Sequence, residues 1–303
     1  MSQGIMFHHF HGKGHAKTLG SIGEEQFRKI IKYLRKKYNL ISAETFIDKA
    51  NKNKLSSQDI CLTFDDTLKC QYDIVFPILM QEKLNAFYFI YSSVFDKKLN
   101  LMEVFRDFSN KNFNSINDFY NLFFITFEKF FKKKSLKFKR RFKNNYLKDY
   151  KFYTLLDKKY RYARDIILEK KEYDKILKKM MSLKKYDIKK NYKKLFMNKK
   201  QILTLIKNKN IVGLHSHKHL SNLSRVNFNE QLKDYKKNYN FIKKNFGITP
   251  IAASYPFGRY NFDTIKIMKN LKIKIAFLSK TNTKYSNLNI GRIDHTNLLK
   301  KIK

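Results

Sequence analysis

The chain has 303 residues, 65 Lys plus Arg against 25 Asp plus Glu, two cysteines and no tryptophan. That length can bury a sizeable core, two cysteines (Cys61 and Cys70) do not make a disulfide framework, and no window approaches the roughly 18 uncharged apolar residues of a membrane span. The formal charge of +40 invites a polyanion partner. However, the same sequence is rich in Lys, Asn, Ile, Phe and Tyr, the residues an AT-rich coding bias over-uses, and it carries no nucleic-acid recognition motif, so nucleic acid is set aside as a partner. Met1-Ser2-Gln3-Gly4 opens without a basic region and apolar stretch, so a cytoplasmic protein is expected, with a peripheral membrane contact as an alternative.

In chain order, Gly4–Phe10 predicts a first strand running into a loop with His8, His9, His11 and His15. Residues 24–34 have apolar side chains at helical spacing, with acids early and bases late as the helix dipole prefers. A short strand at 38–41 and a helix near 43–50 follow. Ile60-Cys61-Leu62-Thr63-Phe64 reads as a buried central strand, and it ends in two adjacent carboxylates, Asp65 and Asp66. Two acids at a strand tip repel each other and are costly to desolvate, so a cation is expected beside them. Residues 70–82 read as a helix bent by Pro77, and 86–91 as another buried strand. This βα alternation predicts a parallel sheet or barrel.

The pattern changes from 97 to 200, a block without Gly or Pro in which residues 101–200 hold 30 Lys plus Arg and 11 Asp plus Glu. Helices are expected over 113–131 and 146–183. The block keeps too many aromatics to stay unfolded and reads as a helical insertion. It is either a lid with a solvated basic face or a cap that meets an anionic glycan or a membrane surface. Alternation resumes with a strand at 210–214 ending on His215, a helix with Asn227 or Asn229 as N-cap stopping at Gly247, and a strand at 251–255 closed by Pro256-Phe257-Gly258. A helix near 261–271 and a strand at 273–278 complete another unit, and the tail from Thr281 gives no clear pattern apart from Ile290–Ile293. The expected domains are 1–96 with 201–303, and the insertion 97–200.

His215-Ser216-His217-Lys218-His219 begins where an apolar strand ends, so it should reach the same sheet edge as Asp65 and Asp66. Two neutral imidazoles and one carboxylate, with a position open for water, suit a catalytic divalent metal such as zinc.

Thr63-Phe64-Asp65-Asp66, His215-Ser216-x-x-His219 and Tyr255-Pro256-Phe257-Gly258 resemble, in order, the first three motifs of the polysaccharide deacetylases, the NodB-homology or carbohydrate esterase family 4 proteins. Met6-Phe7-His8-His9 also looks like the start of bacterial members. The resemblance covers about 1–96 and 201–293. It implies a distorted (β/α)7 barrel with Asp65 as general base toward water on the metal, and with Asp66, His215 and His219 as ligands of zinc (cobalt or nickel as alternatives). The Phe257 N–H would be an oxyanion donor, with Tyr255 and Pro256 at the substrate. The family's fifth motif supplies a His as general acid, and His295 is the nearest match; His8 or His9 could face the same pocket.

Two departures stand out. The third motif usually begins with an Arg that braces the base, and here that position is Ser254; Arg259 and Arg292 are the available substitutes, and spacing does not choose between them. The fourth motif's Trp has no counterpart. The expected function is removal of an acetyl group from an N-acetylated sugar of a surface polysaccharide or its precursor. The alternatives are a non-catalytic glycan- or lipid-binding protein, or a deacylase of O-acetyl or N-formyl sugars.

Overall fold

A computed structural model describes residues 2–18, 20–97, 99–148, 153–219, 225–281 and 286–302. Two compact units are present: Met1–Asn100 with Lys194–Lys303, and Leu101–Lys193.

The first unit is built on eight strands: β1 (Ser2–Phe7), β2 (Asn39–Leu40), β3 (Asp59–Phe64), β4 (Phe87–Ile90), β5 (Ile211–Leu214), β6 (Ala252–Ser254), β7 (Ile275–Phe277) and β8 (Gly291–Asp294). Seven follow the order β7-β6-β5-β4-β3-β1-β8, with β2 added beside β3, and each of these pairs is parallel. The two ends meet through a Phe277–Ile290 bridge, in which the Leu278 N–H donates to the Ile290 carbonyl at 2.8 Å. The sheet is thus a nearly closed barrel, the distorted (β/α)7 form expected from the sequence.

Register decides what shares an edge. Phe7 pairs with Phe64, Phe64 with Tyr88, Ile90 with Leu214 and Leu214 with Ala253. The residues that follow, His8, Asp65, His215 and Ser254, therefore lie at the carboxyl edge, where parallel sheets carry their chemistry. β3 and β4 are buried along their full length, as continuous apolar strands covered on both faces should be.

Helices α1 (Glu24–Lys37), α2 (Ala43–Asn51) and α3 (Phe76–Gln81) occupy the first half. α1 begins where the Gln26 side chain accepts from the Gly23 N–H at 2.9 Å. α2 buries Ala43, Phe46, Ile47 and Ala50 against Phe87 and Phe277. The helix expected over 70–82 is a wide turn, Gln71–Val75, leading into α3 with Pro77 in its first turn, where a missing N–H costs nothing.

In the second unit the expected 113–131 helix is α5 (Ile116–Phe130), preceded by α4 (Met102–Lys111). The long helix expected over 146–183 is instead broken. α6 (Lys132–Arg141) and α7 (Leu155–Tyr162) precede a wide turn at Ala163–Ile167, then come α8 (Lys170–Leu183) and α9 (Ile188–Leu195). Residues 149–152 of that expectation lie outside the described residues. New caps explain the breaks: the Thr154 and Glu169 side chains start fresh helices that periodicity alone does not reveal. This unit packs Phe119, Phe123, Tyr160 and Tyr173 together and seats buried hydroxyls on acids, Tyr186 on Asp107 and Tyr120 on Asp157, each at 2.6 Å.

Back in the barrel unit, α10 (Lys199–Lys207), α11 (Phe228–Phe246), α12 (Phe262–Asn270) and α13 (His295–Leu299) complete the chain. Asn227 caps α11 by accepting from the Glu230 N–H at 3.0 Å, and Gly247 ends it with φ 69°. No helix among the described residues is long and apolar enough to cross a membrane.

Gly213 in β5 is the tightest point of the sheet near the site. A Cβ there would lie 2.5 Å from the Ala252 carbonyl oxygen and 2.8 Å from the Phe89 ring. Gly213→Ala is therefore expected to destabilise the protein by about 1–3 kcal/mol. Thermal unfolding checks this, and an unchanged melting temperature would contradict the packing described.

Candidate metal centre and its carboxylates

The first corner follows β3. The Asp65 N–H extends the ladder by donating to the Phe7 carbonyl at 3.1 Å. The buried Gln71 amide then donates to two backbone carbonyls at once, Asp65 at 2.6 Å and His8 at 2.9 Å, tying the ends of β3 and β1 together. Asp66 and Thr67 turn into left-handed conformations, φ 78° and 60°. Such backbone persists where the surroundings over-determine it. Here Thr67 accepts from the Met197 N–H at 2.9 Å through its carbonyl, and from the Tyr91 N–H at 3.2 Å through its hydroxyl.

The second corner follows β5. The His215 N–H reaches both the Ile90 carbonyl and the Asn238 side chain at 3.1 Å, and the Asn238 amide returns to Ile90 at 3.0 Å. Asp234, one turn earlier on α11, accepts from the His217 N–H at 2.7 Å and the Lys218 N–H at 3.1 Å. His219 has φ 54°, and its N–H donates to Ser216 Oγ at 3.0 Å. The loop thus faces His215 and His219 one way and His217 another. His217 lies against Ser92 at 2.9 Å and Asp96 at 3.1 Å, away from the pair. Gln231, Asp234 and Asn238 form a buried polar stripe on α11, a feature missed by reading α11 for caps alone. Its signal was present: polar side chains at spacings of three and four on the face that must be buried.

Asp66, His215 and His219 converge, with one ligand atom from each lying within 4.8 Å of the others. Asp66 Oδ1 is 3.3 Å from His215 Nε2 and 3.1 Å from His219 Nε2, yet it is buried with no directed hydrogen bond among the described residues. An orphaned buried carboxylate oxygen facing two imidazole nitrogens is what a cation site leaves behind. His215 Nδ1 lies 2.8 Å from the Ser254 carbonyl, so its proton belongs there and the Nε2 lone pair faces Asp66. The donor set fits a divalent cation. Burial raises the Asp66 pKa, but His219 and His215 hold it well below the usual carboxylate range.

Asp65 is treated differently. Both of its oxygens are held by the guanidinium of Arg292 from β8: Nη1 to Oδ1 at 2.9 Å and Nη2 to Oδ2 at 2.7 Å. Ser254 Oγ donates to Oδ2 at 3.2 Å while accepting from Arg292 at 2.8 Å. Burial pushes this carboxyl up, but the charges of Arg292 and His215 outweigh it and bring the pKa to about 2. Of the two arginines that the sequence offered, Arg292 is the one on Asp65. Arg259 lies over the Phe257 ring at 5.9 Å.

The remaining sequence candidates divide. Phe257 has φ 56° and its ring stands 5.0 Å from that of His219. His8 Nε2 is 3.9 Å from an oxygen of each carboxylate, Asp65 and Asp66, and its side chain is partly exposed. His9 stacks on His8 at 6.4 Å. His295 is a correction: it is buried against Phe7, with its ring nitrogens 3.2 Å from the Met6 carbonyl and 2.9 Å from the Gly20 carbonyl. As the first residue of α13, it serves the packing of the barrel end. Tyr255 and Pro256 are also corrected. Both are buried, and the Tyr255 hydroxyl donates to the Leu288 carbonyl at 2.8 Å, so neither offers a face to substrate.

Residues 172–276 match the family model described as polysaccharide deacetylase. That span takes in His215, His219 and Tyr255–Gly258 but not Asp65 or Asp66. None of the curated proteins matches the chain. Solved structures do. The Streptococcus pyogenes deacetylase PplD, in complex with acetate, is 16% identical, with 100% of this chain and 98% of that chain covered and a TM-score of 0.55. IcaB from Ammonifex degensii is 12% identical, with 99% and 96% covered and a TM-score of 0.58. A de-N-acetylase from Aggregatibacter actinomycetemcomitans is 13% identical, with 99% of both chains covered and a TM-score of 0.58. At these identities the likeness is one of fold.

The α11 stripe should matter to the centre it supports. Asp234→Ala is expected to weaken Co2+ binding roughly 10–100-fold in protein that remains folded. A direct titration checks this, and unchanged affinity would show that the His loop holds its shape without that carboxylate.

Proposed function

With a chain of the polysaccharide deacetylase family as the premise, we propose that this protein is a metal-dependent hydrolase that removes the acetyl group of an N-acetylated sugar in a surface polysaccharide or its precursor. The observation that carries the proposal is the division between neighbouring carboxylates. Asp66 faces two imidazoles with an oxygen left over, while Asp65 is ionised, fixed and turned onto an arginine.

Asp66, His215 and His219 would hold the cation, zinc before cobalt or nickel given two nitrogens and one oxygen. When bound, it supplies Lewis acidity toward water and the acyl carbonyl. The chain does the rest. Asp65 takes the proton of the attacking water, and its fixed oxygens set the direction of attack. The Phe257 N–H is assigned to the developing oxyanion. His8, partly exposed and beside both carboxylates, replaces His295 as the group that returns a proton to the departing amine. Burial lowers the His8 pKa, against the upward pull of Asp66 and Asp65. An O-acetyl or N-formyl sugar would use the same groups. The binding-only reading drew on Ser254 lacking an arginine at the base and on the missing fourth motif; the Arg292 pair answers the first of these.

Acetate release from N-acetylhexosamine oligomers with Zn2+ or Co2+ tests the activity. Asp65→Asn and His8→Ala should each lower kcat by about 10²–10⁴, and His215→Ala should abolish turnover together with metal uptake. Full activity in Asp65→Asn or His215→Ala would refute the mechanism, and full activity in His8→Ala would remove that residue as the acid.

A further inference from the structure

In the second unit the charge is spread unevenly. Residues 129–148 hold ten Lys plus Arg and no acid, and α6 lies inside that run. Its buried side is Ser135 and Phe138. At about 100° per residue, Lys132, Leu136, Arg140, Lys133 and Lys137 share an arc of about 140° on the opposite face, and all five are exposed. Among the described residues none of these four bases has an ion-pair partner. Lys134 and Lys139, on the flanks of that arc, do pair, with Glu172 and Glu128, each at 2.6 Å.

Folding does not account for this charge. The helix dipole favours acids in the first turn and opposes cations there. The neighbouring helices obey: α5, α7 and α8 begin with Asp118, Asp157 and Glu172 in their first turns. α6 begins with Lys132, Lys133 and Lys134 and has no acid there, so its like charges repel within one turn. A coding bias toward Lys would act on all four helix starts alike. The same face also carries apolar surface. Phe130, at the corner between α5 and α6, is 41% exposed and Leu136 is 48% exposed. Two bases of α8 close round that corner, Lys179 over the Phe130 ring at 5.8 Å and Lys175 over the Phe131 ring at 6.0 Å.

We propose that the outer face of α6, with the α5–α6 corner, docks on an anionic lipid surface. Its bases meet the phosphate headgroups, and Phe130 and Leu136 enter the boundary between headgroups and acyl chains. A soluble polyanion would match the charge but would give the two exposed apolar side chains nothing to bury against. The contact is an attachment to the surface and does not span it. It goes beyond the hydrolase reading and does not rest on it.

Co-sedimentation of the full chain with vesicles tests this. Binding is expected to mixed phosphatidylglycerol–phosphatidylcholine vesicles but not to pure phosphatidylcholine, and it should fall steeply between about 0.1 and about 0.5 M salt. Each base near such a surface is worth roughly a fivefold change. Lys132→Gln, Lys133→Gln, Lys137→Gln and Arg140→Gln together should therefore weaken binding at least about 100-fold. Leu136→Ser should weaken it about fivefold and leave heparin binding unchanged. The quadruple variant should melt no lower than wild type, because it relieves repulsion. Should it melt early, Lys133→Gln with Lys137→Gln is read instead, for a loss of about 25-fold. Wild type that ignores the anionic vesicles or binds neutral ones equally, or a folded variant that binds in full, overturns the proposal. Vesicle binding untouched by Leu136→Ser, with heparin bound as tightly, assigns the face to a soluble polyanion and overturns it too.

Discussion

The buried pair between Arg292 and Asp65 is the interaction on which the rest of the centre depends. It joins the last strand to the third across the barrel interior and takes in β6 through Ser254 and the end of β7 through the Leu278 carbonyl. A buried ion pair need not stabilise a fold more than apolar packing does. Removing one partner, however, leaves an uncompensated charge that costs about 3–5 kcal/mol. The pair is therefore best understood as a constraint: it allows Asp65 to be ionised although buried, and it fixes where its oxygens point.

Around that constraint the strained backbone is concentrated. Among the described residues, 12 non-glycine positions have positive φ, and five of them, Asp66, Thr67, Ser216, His219 and Phe257, lie in the three loops at the carboxyl edge. Each loop is pinned by buried polar groups: Gln71 on the first, Asp234 and Asn238 on the second, and the Tyr255 hydroxyl bond to Leu288 beside the third. A site that must hold four charged or titratable side chains within a few ångströms cannot relax into ordinary turns, and the surrounding hydrogen bonds supply the rigidity.

Much of this was legible in the sequence because it is local. An apolar run broken by two acids marked β3 and its tip; an apolar run ending in three histidines marked β5; Asn227 and Gly247 marked the ends of α11. What escaped was non-local. Ser254 and Arg292 are 38 residues apart, and nothing in their spacing says that one makes room for the other; β8 and β3 flank β1, which puts Arg292 on Asp65, and barrel closure brings Ser254 round to the same guanidinium. In the sequence, His295 was the nearest match to the general acid and His8 a loop histidine after the first strand. Register separates them, since Phe7 opposite Phe64 sends the next residue to the edge, while His295 begins a helix and turns inward. Tyr255 belongs to the same class: its motif position suggested substrate, whereas it is buried with its hydroxyl on the Leu288 carbonyl. In the insertion, periodicity found helices but not their caps, so one long expected helix became several.

The most direct test is a zinc-edge anomalous difference map from crystals of the zinc-loaded protein. A single strong peak bonded to Asp66, His215 and His219, with Asp65 still forked on Arg292 and outside bonding distance, is the predicted result. A peak that includes Asp65 as a ligand, or none between these three side chains, would contradict the division of roles on which the function depends.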